Sequence, residues 1–300
     1  SSGTFAVDSV VKSDHFPHTK YVALKTKDAI VDQFREIYGF RPSVDVVNPD
    51  LRINIRISKE ECSLSLDASG DSLHKRGYRT EVNIAPLNEV LAAGMILLSG
   101  WDKKSNFVDF MCGSGTLPIE AALYATNTAP SKLREHFGFM SWIDYNKELW
   151  EKVKQDAEAR ETTFEHQIFG SDISRRNIEI ATQNVENAHM DEYVRLSAKP
   201  FIDRMPPRGV AGTVIINPPY GERMDRFDVG DMYKEVGDHL KQNYQGYDAW
   251  IITSNKEALK KFGLKTSKKL MLYNGALECK FHKYEMYRGS KRTPAEEATE

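Results

Sequence analysis

Three hundred residues exceed one small domain and suit two, and a 40% hydrophobic share can build a core in each. No run of about 18 apolar residues occurs, so no membrane-spanning helix is expected, and the start lacks the basic-then-apolar layout of a signal peptide. Cys62, Cys112 and Cys279 lie far apart and form no metal-ligand pattern, which points to a reduced, cytoplasmic setting and no bound metal.

The net charge of -2 speaks against a nucleic-acid partner taken as a total, but the charge is segregated. Lys12, His15, His18, Lys20, Lys25 and Lys27 cluster near the start. His74, Lys75, Arg76 and Arg79 form a second basic group, and Lys260, Lys261, Lys265, Lys268 and Lys269 a third. Each is either a solvated face or a phosphate contact, and three in one chain bring the two readings level.

In chain order, Thr4 to Val11 alternates as a strand does, and His18 to Tyr38 reads as a helix with an apolar stripe of Val22, Ala29, Ile30, Phe34 and Ile37. Pro42 breaks the chain, and Leu51 to Ile57 and Cys62 to Leu66 alternate again. This is a small α/β unit with little surface to bury by itself. Residues 67–85 read as a junction whose basic, tyrosine-bearing stretch His74 to Arg79 is either a solvated linker or a face toward RNA. Pro86 sits where a helix can begin, and Leu87 to Leu98 follows with Val90, Leu91, Gly94, Leu97 and Leu98 on one side.

Phe107 to Asp109 is a short apolar strand ending in an acid. Met111, Cys112, Gly113, Ser114, Gly115 and Thr116 then form a glycine turn into a helix. Two glycines let the backbone approach a ligand without a Cβ in the way, and the helix start offers free N–H groups. The spacing is neither that of a dinucleotide fingerprint nor that of a phosphate loop. It suits an adenosyl cofactor carrying an amino acid. Residues 126–166 look inserted, with the aromatic run Phe137 to Trp142 serving as a satellite core or a lid. Ile168 to Gly170 is a strand leading to Asp172 and Ile173, and an acid placed there commonly binds ribose hydroxyls.

Val194 to Leu196 and Thr213 to Ile216 are further strands, and the second ends in Asn217-Pro218-Pro219-Tyr220. Two prolines stop the ladder at once. An amide, free carbonyls and an aromatic face at the carboxyl end of a strand suit a planar base bearing an exocyclic amine. A helix (Asp231 to Tyr244), a strand (Ala249 to Thr253) and a short helix (Lys256 to Phe262) follow. A hairpin around Asn274-Gly275 closes the domain, and residues 289–300 form a polar, disordered tail. The expected fold class is α/β: a Rossmann-like, mostly parallel twisted sheet with an antiparallel C-terminal hairpin, preceded by the small α/β segment.

The combination of Leu73 to Arg79, Ala85-Pro86-Leu87, Met111 to Leu117, Asn217 to Arg223 and Asn274 to Cys279 resembles the THUMP-domain, S-adenosylmethionine-dependent RNA guanine-N2 methyltransferases. The likeness is nearest to the enzymes acting on 23S ribosomal RNA of the large subunit, and it covers nearly the whole chain. The resemblance implies a truncated THUMP RNA-binding domain at 1–66, a linker at 67–85 and a methyltransferase domain at 86–288. It implies S-adenosyl-L-methionine as cofactor, held by Pro86, Asp109, Met111 to Thr116, Asp172, Ile173 and Asn217, and catalysis by Asn217, Pro218, Pro219 and Tyr220. Lys25, Lys75, Arg76 and Arg79 are the expected RNA contacts. One departure stands out: the acid that usually follows the third strand is replaced near Lys199-Pro200, with Asp203 a little beyond. The turn chemistry alone also fits a DNA adenine-N6 methyltransferase, and a non-catalytic RNA-binding protein with this fold is a further alternative.

Overall fold

The computed structural model describes residues 3–79, 87–219 and 226–287, with backbone alone at 226–228. Pro86, Tyr220 and the 289–300 tail, all named above, lie outside the described residues. The described chain forms two compact units. One takes in the residues up to Lys75 together with Arg134–Lys154, and the other holds the rest.

The first unit is a four-stranded sheet of β1 (Thr4–Lys12), β2 (Ser43–Val44), β3 (Leu51–Ser58) and β4 (Glu61–Leu66), in the order β2-β1-β3-β4. β1 and β3 run parallel, so the chain between them must cross over, and helix α1 (Thr19–Tyr38) makes that crossing. Its core is small: Phe5, Val31 and Ile53 form one cluster, and Val22, Ile55 and Ile57 another. The expected α1 stripe is corrected here. Only Val22 and Val31 of the helix are buried, whereas Phe34 and Ile37 are exposed. Phe34 instead gathers with Tyr38 and Phe40, beyond the last turn that Gly39 ends in a left-handed conformation.

The segment Arg134–Lys154 belongs to this unit although it lies far along the chain. It carries a 3-10 turn (Gly138–Ser141) and most of α4 (Lys147–Glu158). The Arg134 guanidinium donates to the carbonyls of Ser69, Asp71 and Ser72, and Phe139 N–H donates to Ala68. The aromatic run forms its own cluster, with Phe137 stacked on Phe139 and both rings edge-on to Trp150.

The second unit is a seven-stranded sheet built from β5 (Phe107–Asp109), β6 (Ile168–Asp172), β7 (Val194–Ala198), β8 (Thr213–Ile216), β9 (Asp248–Thr253), β10 (Lys268–Asn274) and β11 (Leu277–Glu285). The order is β10-β11-β9-β8-β5-β6-β7; β5 to β9 are parallel and the last two antiparallel. Helices α2 (Glu89–Ser99), α3 (Thr116–Ala125) and α5 (Arg175–Asn187) cover one face; α6 (Arg226–Asn243) and α7 (Lys256–Lys260) cover the other. β8 is buried at every position, as a central strand between two helical layers must be. The expected apolar side of α2 is also corrected. Glu89, Ala92, Met95, Ile96 and Ser99 face inward, while Val90, Leu97 and Leu98 are exposed. Ala92 lets α2 lie close to its neighbour, and Glu89 is drawn inward by an ion pair.

Candidate active site

The strand order reverses beside β5: the chain moves outward through β6 and β7, then returns to place β8 on the other side. A crevice at the carboxyl ends of the strands follows from that reversal. The register places the predicted residues along it. Asp109 pairs with Gly170, and Val214 pairs with Val108. Met111 lies in the turn two residues past Asp109, Asp172 ends β6 two past Gly170, and Asn217 follows the last residue of β8, so all three belong to the same carboxyl edge of the sheet. β8 and β6 flank β5 at about 10 Å from each other, two strand spacings.

Between them runs the glycine turn. Gly115 N–H donates to Cys112 O at 2.9 Å, and Cys112 N–H donates to Ser171 O at 2.9 Å, so the turn is tied to β6. Gly115, at φ +85°, caps α3, and a Cβ there would sit 3.1 Å from Ala181 Cβ on α5. Gly113, at φ +53°, differs: a Cβ added there meets nothing within 4 Å. The backbone at Gly113 is therefore bare. Asp109 is 1% exposed and accepts from Met111 N–H at 3.0 Å. Burial, reinforced by the Asp172 carboxylate, pushes its carboxyl up to about 8. Cys112 is buried too, and burial raises its thiol well above the ordinary range, which removes it as a nucleophile.

Asp172 organises the other side. Its Oδ1 accepts from Ser174 N–H at 2.9 Å and from Asn177 Nδ2 at 3.1 Å; its Oδ2 accepts from Gly113 N–H at 3.1 Å. Two acceptor directions exist per oxygen, so Oδ2 keeps one for a further donor such as a ribose hydroxyl. Ile173 beside it is 77% exposed. The loop after β7 begins with Lys199 N–H donating to Asp172 O at 3.0 Å, and Asp203 closes one exposed 3-10 turn (Phe201–Asp203). On the β8 side Asn217 is half-buried, Pro218 buried and Pro219 exposed.

The basic group at 74–79 divides. Lys75 is exposed and pairs with Asp71, and Lys25 is exposed with its ammonium over the Tyr21 ring. Arg76 is 8% exposed and donates to both oxygens of Glu120, which also accepts from Tyr78 Oη. Arg79 donates to Glu89, to Ser114 Oγ and to Thr116 Oγ1. The expectation that Arg76 and Arg79 face RNA is corrected. Both guanidinium groups are committed to buried carboxylates, because an acid on α2 or α3 is tolerable inside only when paired.

Sequence reasoning missed four residues that shape the site: Ser174, Asn177, Asn184 and Glu89. Asn184 is fully buried and donates to Ser114 O at 3.0 Å. Its signal was available, a polar residue on the same helical face as Ile180 and Ala181.

Residues 76–283 match the family described as RMKL-like, methyltransferase domain, and residues 1–67 match the THUMP domain. The chain belongs to the RMKL-like methyltransferase family. A putative RNA methyltransferase of Synechocystis sp. is 39% identical over 95% of this chain and 74% of its own length. The ribosomal RNA large subunit methyltransferase K/L of Syntrophotalea carbinolica is 39% identical over 95% of this chain but only 42% of its own. The chain thus spans about two fifths of such K/L relatives. Among solved structures, SMU.472, a putative methyltransferase complexed with SAH, superposes with a TM-score of 0.84 at 31% identity, over 96% of this chain and 76% of that one. Among the described residues no helix is long and apolar enough to cross a membrane, and no group of His, Cys, Asp and Glu is placed to hold a metal.

Proposed function

We propose that this chain transfers the methyl group of S-adenosylmethionine to the exocyclic N2 of a guanine in large-subunit ribosomal RNA, in the cytoplasm. Residues 1–66 would serve as a THUMP RNA-binding domain, 67–85 as its connection and 86–288 as the methyltransferase domain. The observation that carries this reading is the alignment of Asn217, the glycine turn and Asp172 at one carboxyl edge. The K/L relatives supply the substrate class.

The bare backbone at Gly113 and the spare acceptor of Asp172 fit an adenosyl cofactor with an amino-acid end. Bound there, it supplies a methyl group already activated on a sulfonium. The protein's own task is then positioning and polarisation. Asp172 would accept a ribose hydroxyl, and the N–H groups at the start of α3 would face the cofactor's carboxylate. Asn217 and the Pro218 carbonyl would accept the two hydrogens of the target amine and turn its lone pair toward the methyl. Tyr220 would stack on the extruded base, worth roughly 1–3 kcal/mol. No general base is needed, since the methylated ammonium is acidic enough to release its proton to water.

Replacing Asn217 tests this. Asn217→Ala should keep cofactor binding by calorimetry and lose about 100-fold or more in transfer to ribosomal RNA from cells lacking this gene. Near-normal transfer would remove Asn217 from the chemistry. Methylation of DNA adenine in preference to RNA would replace the guanine reading, because the turn accepts either amine.

A further inference from the structure

The β10–β11 hairpin takes no part in the chemistry above, yet its register carries it to the same edge. β11 pairs with β9 from Glu285↔Asp248 to Lys280↔Thr253, and Thr253 is the last residue of β9. Past that point, Leu277, Glu278 and Cys279 pair with Asn274, Tyr273 and Leu272 of β10, and the turn closes at Gly275 with φ +61°. β8 runs parallel to β9 with Ile216 opposite Ile251, so Asn217 and Pro218 come level with Ile252 and Thr253. The hairpin tip therefore overhangs the edge that bears the Asn217 turn. β11 stands two places from β8 in the order β11-β9-β8, about 10 Å across the sheet.

The two faces of the hairpin differ. Leu270, Leu272, Cys279 and Phe281 point into the core. On the opposite face Lys269, Met271 and Tyr273 stand across from His282, Lys280 and Glu278. Met271 is 61% exposed and Tyr273 58%. Glu278 is taken by Lys256 at 3.0 Å, whereas among the described residues neither Lys269 nor Lys280 is ion-paired. Their field is felt locally: burial first, then the Lys269 and Lys280 ammoniums, hold the His282 imidazole below its ordinary value. Tyr273 stands at the tip end of this face, one cross-strand step beyond Lys280 and two beyond Lys269, and an exposed aromatic followed by unpaired cations has the chemistry of a single-strand contact, in which bases stack on the ring and phosphates meet the ammoniums.

We propose that this overhanging hairpin face binds the RNA strand beside the target base, with Tyr273 stacking on a flanking base and Lys269 and Lys280 meeting phosphates. The assignment rests on the RNA reading above and adds a second grip on the strand, next to the reaction centre.

The test uses the full chain with Tyr273→Ala, Tyr273→Phe and the double variant Lys269→Ala/Lys280→Ala. The probe is ribosomal RNA from cells lacking this gene. Tyr273→Ala should raise KM for RNA about 10-fold, and Tyr273→Phe, which keeps the ring, should restore it. The lysine pair should lower the slope of log affinity against log salt by about 1.4, the share of two single-strand phosphates. Affinity for S-adenosylmethionine should stay at the wild-type value in all three, which also reports that they fold. Wild-type KM in Tyr273→Ala together with a wild-type salt slope in the lysine variant would overturn the proposal. Wild-type protein that binds the RNA without methylating it would overturn the reaction while the binding comparison still judges the hairpin. Wild-type protein that does neither would overturn both.

Discussion

Arg79 Nη1 donates to Ser114 Oγ at 2.9 Å while Nη2 of the same guanidinium donates to Thr116 Oγ1 at 2.8 Å, so one side chain clamps both flanks of Gly115. Its Nε is held by Glu89 at 2.8 Å, with the two side chains only 13% and 7% exposed. A residue drawn from a basic cluster thus serves as a brace for the glycine turn.

Arg79→Ala should lower affinity for S-adenosylmethionine by about 10-fold or more and cost about 3–5 kcal/mol of stability, because Glu89 is left buried and unpaired. Adding Glu89→Gln should recover part of the stability but none of the affinity. Arg79→Lys should not rescue binding, since one ammonium cannot span three acceptors in a plane. Calorimetry and urea melts on the three variants check this, and a wild-type salt slope for RNA binding in Arg79→Ala would separate bracing from phosphate contact.

The two loop glycines should fail in different ways. Gly115→Ala places a non-glycine residue at φ +85° and a methyl 3.1 Å from Ala181 Cβ. It should destabilise the fold by about 1–3 kcal/mol in urea melts. Gly113→Ala meets open space, so its stability cost should be about 1 kcal/mol, the ordinary penalty of the left-handed region. Its methyl would occupy cofactor room, and calorimetry should show the larger loss of affinity there.

Asp109 sets a pH dependence. Its carboxyl, pushed up to about 8, is mostly protonated at neutral pH without ligand. If it holds the cofactor's cationic amino group, binding must release that proton. Affinity should then rise about tenfold per pH unit up to pH 8 and level off above, and Asp109→Asn should bind more weakly and without this slope. Calorimetry in two buffers of different ionisation enthalpy measures the proton directly. Stability runs the opposite way. The native state retains a proton that the unfolded chain loses above about pH 4, so this group makes the fold less stable as pH rises from about 4 to 8, and Asp109→Asn should abolish that decline.

Much of this was legible because parallel sheets follow a strict grammar. An apolar strand ending in Asp109, a turn through Gly113 and Gly115, a second strand ending in Asp172 and a third ending in Asn217 leave few other arrangements. What failed to show is what depends on partners distant in sequence. Arg76 and Lys75 are neighbours of equal charge, yet one is buried and the other exposed, because Glu120 lies 44 residues further on and nothing local announces it. Leu97 and Leu98 outweigh Glu89 on any hydrophobic scale, so α2 was assigned the wrong face; the ion pair to Arg79 reversed it. The short strand β2 left too few residues for a period to register.

The chain passes from the first unit to the second after Lys75, returns at Arg134 and leaves again after Lys154. Three covalent links therefore join the units, and a single protease cut in the 67–85 stretch would not release either one. Expressed alone, the first 75 residues would lack the Arg134 guanidinium that gathers the carbonyls of Ser69, Asp71 and Ser72. Exchanging this unit for that of a relative would mean transplanting two segments at once, so inheritance should keep them together as a pair.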